Sequence, residues 1–159
     1  MAIRNILPDT EEIMHKKCRH VDKIDGRTLI LVKDMFDTLK EAQGLGLAAP
    51  QVGILKRIFV IVSDSEGNMQ EFINPEIISS GGEQEGAEAC LSIKGFEGFV
   101  RRPMTVKVKA FNRNGEEFEY EATEIMARAL CHESDHLDGI TIRDAAEYEI
   151  LRDEENEKN

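Results

Sequence analysis

The stretch TEIMARALCHESDHLDG (123–139) decides how this chain folds and where its chemistry sits. Thr123 is a residue type that caps helix N-termini, and Glu124 puts an acid in the first turn, where the helix dipole favours one. The helix this predicts runs to about Leu137 and ends near Gly139. Ile125, Ala129, His132 and His136 share one broad face of it by helical spacing. His132-Glu133-Ser134-Asp135-His136 is an H-E-x-x-H motif, and its residue types fit the job of holding a metal ion and activating water. Two histidines one turn apart can converge on a single cation, and Glu133 between them can reach a water without being a ligand. An ordinary helix with two surface histidines would carry the same letters. This one is bounded at both ends and has an apolar face, which favours the metal reading.

A catalytic site of this kind needs a third protein ligand and an open position. The chain offers Cys18, Cys90 and Cys131. Cys131 adjoins His132, but on a helix it points about 100° away from it. Cys18 lies among Lys16, Lys17 and Arg19. Cys90 sits in GAEACLS (86–92), after a glycine turn, and its thiolate is soft enough for zinc or ferrous iron. The bland reading of Cys90 is a small buried core residue. A third segment, GLGLAAPQ (44–51), is built of small residues that let backbone approach a ligand, and Gln51 could present its amide to a developing oxyanion. Read alone, it is equally a helix stop followed by a loop.

Composition bounds the alternatives. At 159 residues the chain fits one domain, 1–159, with a real core. Hydrophobic residues are 41% and charged residues 32%, as in soluble globular proteins. No apolar run approaches a membrane span, and the N-terminus lacks a secretory pattern. Three cysteines, an odd and sparse set, argue against a disulfide framework and for the cytoplasm. The net charge of −11 argues against binding DNA, other nucleic acid or anionic membrane non-specifically. Residues 144–159 carry seven acids and two bases, and so −5 of that charge.

Periodicity predicts a helix over residues 10–20 and a stronger one from Thr28 to Ala42, with Val32, Met35, Phe36 and Leu39 on one face and Gly44 placed to stop it. RIFVIV (57–62) reads as a buried strand, and 71–80 as extended around Asn74-Pro75. TVKVKAF (105–111) and EEFEYEA (116–122) alternate and are joined by NRNG, as in a hairpin. A last, acidic helix is expected from about Asp144 to Glu155. The fold class is α+β: antiparallel strands packed around the motif helix, with N-terminal helices and a C-terminal helix.

Taken together, GLGLAAPQ (44–51), EACLS (88–92) and CHESDH (131–136) resemble the three motifs of the peptide deformylase family, G-x-G-x-A-A-x-Q, E-G-C-L-S and Q-H-E-x-D-H, in that family's order and spacing. The resemblance extends from Pro8-Asp9 to the last helix. It implies that Cys90, His132 and His136 are ligands of one divalent metal. Ferrous iron is the commonest, and zinc, nickel or cobalt can also occupy the site. Glu133 would be general base and then acid, Gln51 and the Leu91 N–H would take the oxyanion, and Gly46 would contact substrate backbone. The implied substrate is an N-formylmethionyl nascent peptide, with formate as a product. Leu45, Ile125, Arg128 and Ala129 are candidates for the methionine pocket, and Glu88 and Asp135 for orienting the histidines. In some members a C-terminal helix is thought to dock on the ribosome. A tail carrying −5 is poorly suited to that. Ala89 and Cys131 depart from the family's Gly and Gln: if that Gly serves a positive φ or a tight approach, Ala89 adds strain or shifts Cys90, and any hydrogen bond made by that Gln is lost.

Two rival readings remain at this level. An H-E-x-x-H peptidase would take a third His or Glu ligand downstream, where Glu147 and Glu149 lie. The other is non-enzymatic, a closed structural metal site or a binding protein retaining the fold; a structural site wants four ligands, and the presence of Glu133 and Gln51 argues against it.

Overall fold

The computed structural model describes residues 2–152, and its organising element is a strand buried on both faces. In β2 (Ile58–Val62) the four residues Ile58 to Ile61 are wholly buried. Alternate side chains of a strand point to opposite faces. Phe59 and Ile61 therefore join Phe72, Val106 and Val108 on one side, and Ile58 and Val60 join Ile73 on the other.

Each face is covered by one helix. On the second face lies α1 (Gly26–Ala42), which presents Leu31, Val32, Met35 and Leu39. It starts two residues earlier than periodicity suggests, because the Asp25 carboxylate accepts the Thr28 N–H at 3.0 Å. Its end also differs. Gln43, not Gly44, takes the left-handed conformation (φ 56°). The motif helix, α2 (Glu124–Leu137), covers the first face with Ala127, Leu130, Cys131 and Leu137. Thr123 stands at its N-cap, but its side chain makes no capping hydrogen bond.

Two antiparallel sheets surround α2. The larger has the order β1-β2-β3-β6-β7, where β1 is Gly46–Ala48, β3 Met69–Gly81, β6 Thr105–Phe111 and β7 Glu117–Thr123. The expected β6–β7 hairpin is present, with Phe111 opposite Glu117. The smaller has the order β4-β5-β8, where β4 is Gln84–Cys90, β5 Ile93–Arg102 and β8 Tyr148–Glu149. The motif helix lies against β1, β2, β6 and β7 and also reaches β5, so it sits where the two sheets meet. This is the α+β arrangement expected, with antiparallel strands packed around the motif helix.

Two helices differ from expectation. Residues 10–20 hold only a 3-10 turn, Glu12–His15, which buries Met14 alone; the rest is turn, bend or irregular chain with a single β-bridge at Arg19. The closing helix is short, α3 (Ile142–Ala145), and buries Ile142. The chain then pairs with β5 through β8 instead of continuing as a helix from Asp144. The part of that expected helix from residue 153 onward lies outside the described residues. Among those described, no helix is long and apolar enough to cross a membrane.

Candidate active site

Three elements bring the three motifs together. β1 and the 3-10 turn Ala49–Val52 carry Gly46 and Gln51, the end of β4 carries Glu88 and Cys90, and α2 carries both histidines and Glu133. They line one cavity of about 510 Å³. Leu45, Ile125, Arg128 and Ala129 all lie on its wall, as do Gln51, Glu88, Cys90, Leu91, His132, Glu133 and Gly46. Ile125 and Leu45 are exposed at its mouth.

His136 is not on that wall, but its Nε2 is 3.2 Å from Nε2 of His132 and 3.4 Å from Sγ of Cys90, which both are. The Cys90, His132 and His136 ligand atoms all lie within 4.8 Å of one another. Metal–nitrogen bonds of about 2.0–2.1 Å and a metal–sulfur bond of about 2.3 Å at tetrahedral angles would put two nitrogens about 3.3 Å apart and nitrogen and sulfur about 3.5 Å apart. The two separations to His136 therefore fit a metal. His132 Nδ1 lies 3.1 Å from the Glu88 carboxylate, which accepts its N–H and leaves the Nε2 lone pair facing inward.

The electrostatics agree with a cation there. Burial resists charge on His132, but Glu133, Cys90 and Glu88 outweigh it and raise its pKa to about 10. The groups that favour a proton on that ring also favour a metal ion beside it. Burial, with the charges of His132 and Arg102, pushes His136 down to about 3, so its ring presents a neutral donor. Burial raises the Cys18 and Cys131 thiols to about 11, so both stay protonated. Cys131 packs in the core between α2 and the large sheet.

Glu133 is 4% exposed, and its Oε1 has no hydrogen-bond partner. Burial raises its carboxyl to about 7, against the lowering influence of His132. It fits only because Gly46 faces it: a Cβ at Gly46 would stand 2.6 Å from Glu133 Oε2. Gln51 is buried and aimed. Its Oε1 accepts the Ala48 N–H at 2.9 Å, which turns Nε2 toward Ser92 Oγ (3.0 Å) and Cys90 Sγ (3.7 Å). Leu91 follows Cys90 in the two-residue turn between β4 and β5.

Around the ligands lies a buried ion network. Glu88 receives Arg102 through both Nε and Nη2 at 2.9 Å, and Arg128 Nη1 at 2.6 Å. Asp135 takes Arg102 Nη1 at 2.6 Å, so its carboxylate serves Arg102 rather than a histidine. Arg128 lines the cavity with its stem while its head is held by Glu88 and the Val100 carbonyl. Arg102 and Ser92 were missed by sequence reasoning. Arg102 falls on the inward phase of β5, with Phe96, Gly98 and Val100, and a charged residue in that phase was the available signal. Ala89 does not take a positive φ, so the strain expected of it is absent; it faces the cavity. Glu147 and Glu149 are not in the metal-competent group: Glu147 pairs with Arg101, and Glu149 lies in β8.

A sequence profile described as polypeptide deformylase matches residues 3–149. The chain belongs to the polypeptide deformylase family. A peptide deformylase of Alkaliphilus metalliredigens is 53% identical over 144 residues, covering 91% of this chain and 97% of that protein. One from Clostridium botulinum is 52% identical over 87% of this chain and 93% of its own length. Among solved structures, a peptide deformylase from Legionella pneumophila is 41% identical with a TM-score of 0.86, covering 91% of this chain and 86% of that one. One from Ehrlichia chaffeensis, in complex with actinonin, is 34% identical with a TM-score of 0.88, covering 91% and 89%. As a member of this family, the chain is a metal-dependent hydrolase, and its reaction is the deformylation of polypeptides.

Proposed function

We propose that this chain removes the formyl group from the N-terminal formylmethionine of newly made polypeptides, with Cys90, His132 and His136 holding one divalent metal. The observation that carries the reading is the convergence of Cys90 Sγ and both histidine Nε2 atoms, with Cys90 and His132 on the wall of a cavity also lined by Glu133 and Gln51. Ferrous iron is the native metal in this reading. One thiolate with two imidazoles suits Fe2+ or Zn2+ and also admits Ni2+ or Co2+. When bound, the ion supplies Lewis-acid activation of water at neutral pH.

The chain's own groups do the rest. Glu133, with its unpartnered Oε1, accepts the water's proton and later delivers it to the departing peptide nitrogen. Gln51 Nε2 and the Leu91 N–H receive the charge that develops on the formyl oxygen; one such donor is worth about 2.7–4 kcal/mol. Gly46 gives Glu133 its room and lets substrate backbone approach. Leu45, Ile125, Ala129 and the Arg128 stem wall the methionine side chain. Glu88 fixes the His132 tautomer, and Asp135 acts through Arg102. The cytoplasm, where formylated nascent chains arise, is the compartment this substrate requires, and three free cysteines accord with it. Docking on ribosomal RNA through the acidic C-terminal segment is disfavoured by its charge.

Mass spectrometry of formyl-Met-Ala and free Met-Ala peptides after incubation with the metal-loaded enzyme separates this reading from peptidase action. Formate and intact Met-Ala are expected from the first peptide and no change in the second. Cleavage of the Met–Ala bond would overturn the reading.

A further inference from the structure

We infer that Asp9, clamped by Arg143, is a positioning residue that holds the two oxyanion donors in register across the two sheets; this rests on the roles proposed above for Gln51 and Leu91. Those donors come from different sheets. Gln51 lies in the turn that follows β1 of the five-stranded sheet, and Leu91 in the turn closing β4 and β5 of the three-stranded one. An N-terminal strap without regular secondary structure joins the two turns. The Leu7 N–H donates to the Gln51 carbonyl at 2.8 Å, and two residues later the Asp9 N–H donates to the Ser92 carbonyl at 2.9 Å. The strap thus grips the backbone of Gln51 itself and of the residue beside Leu91.

The strap is in turn held by the segment that follows the motif helix. Arg143 of α3 donates from Nε to Asp9 Oδ2 at 2.6 Å, and its guanidinium lies 4.7 Å over the Phe96 ring. His15 Nε2 donates to the Asp9 carbonyl at 2.6 Å. Gly139, at φ +75°, packs its bare Cα against the His15 backbone, where a Cβ would stand 2.6 Å from the carbonyl. Asp9 therefore uses its amide, carbonyl and carboxylate together, and it is buried although it lies outside the cavity. A carboxylate ordered this closely at the joint between two catalytic segments sets their separation. A displacement of about 1 Å in such groups costs about 10²-fold in rate.

The test uses the metal-loaded full chain and saturation kinetics of formate release, with bound metal measured in each variant. Asp9→Ala is expected to lower kcat roughly tenfold with KM and metal content unchanged. Asp9→Asn, which keeps an acceptor for Arg143, stays within about twofold. Arg143→Ala, at a half-exposed position that tolerates truncation, reproduces the Asp9→Ala loss, and the double variant loses no more. In a Gln51→Ala background the Asp9→Ala loss shrinks. Unchanged kcat in both Asp9→Ala and Arg143→Ala, a loss carried by KM or by metal content, or an equal loss in the Gln51→Ala background would overturn the inference. If Gln51→Ala itself leaves kcat unaltered, the oxyanion assignment fails and takes this inference with it. A Gln51→Ala loss beside an unaffected Asp9→Ala overturns the inference alone.

Discussion

Glu88 concentrates more interactions than any other side chain described around the site. Its carboxylate accepts from Arg102, Arg128 and His132. Burial alone would raise its pKa. Hydrogen bonds and charge from Arg102 and His132 overcome that and hold it at about 2. The folded chain thus binds fewer protons at Glu88 than the unfolded chain does below the ordinary carboxylate range. The stabilisation is present above that range and is lost as pH falls toward 2. Urea midpoints at pH 6 and pH 3, both with chelator present so that metal release does not contribute, should therefore drop less for Glu88→Gln than for the unsubstituted chain. An equal drop would show that Glu88 is not the acid-sensitive group. The same network was only half visible in the residues. Glu88 stood beside Cys90 and Asp135 beside His136, which marked both as orienting candidates. The guanidinium that joins them, Arg102, lies in a strand whose inward phase also holds two smaller anchors, Gly98 and Val100.

Among the elements, α2 was the most legible and the small sheet the least. The α2 boundaries follow from Thr123, Gly139 and the spacing of its apolar face, because a helix terminus and a period of 3.6 are local properties. Leu130 is wholly buried between α2 and the large sheet, with Phe59 and Val108 in the same cluster. Leu130→Ala should cost about 2–5 kcal/mol in urea unfolding, the range for truncating a buried leucine. A cost below about 1 kcal/mol would mean that α2 is not the lid of that core. β4, β5 and β8 are different. β5 carries Gly95 and Gly98, and β4 carries Glu85, Gly86 and Glu88, so hydrophobic alternation is thin in both. They become strands through pairing with each other, as in Gly86 with Val100 and Ala87 with Phe99, and such pairing is long-range. The expected helix from Asp144 gave way for the same reason. Tyr148 stacks on Phe99 at 4.8 Å and pairs with it, which draws the segment into the sheet.

At the scale of the whole molecule, the metal-competent group joins one sheet to the motif helix. Cys90 ends β4 and both histidines belong to α2. A ligand that binds only the folded chain stabilises it by about 2.7 kcal/mol at a hundred times its Kd, and a chain of this size shifts by about 2–4 °C per kcal/mol. Removing metal from the loaded protein should accordingly lower Tm by at least about 5 °C, as read by scanning calorimetry. An unchanged Tm would mean that the ion does not bridge these elements. The three motifs lie far apart along the chain, and their order and spacing were enough to suggest one site. What they could not supply was the frame, which required both sheets, the Gly46–Glu133 contact and the strap through Asp9. The central claim is that Glu133 works on a substrate's formyl group beside a metal held by Cys90, His132 and His136. It is tested most directly by formate release from a formyl-Met peptide with anaerobic, iron-loaded enzyme and its Glu133→Ala variant, with iron content measured in both. The account predicts stoichiometric iron in both and a loss of about 10²-fold or more in kcat in the variant. Full activity in Glu133→Ala, or no formate from the unsubstituted enzyme at one iron per chain, would contradict it.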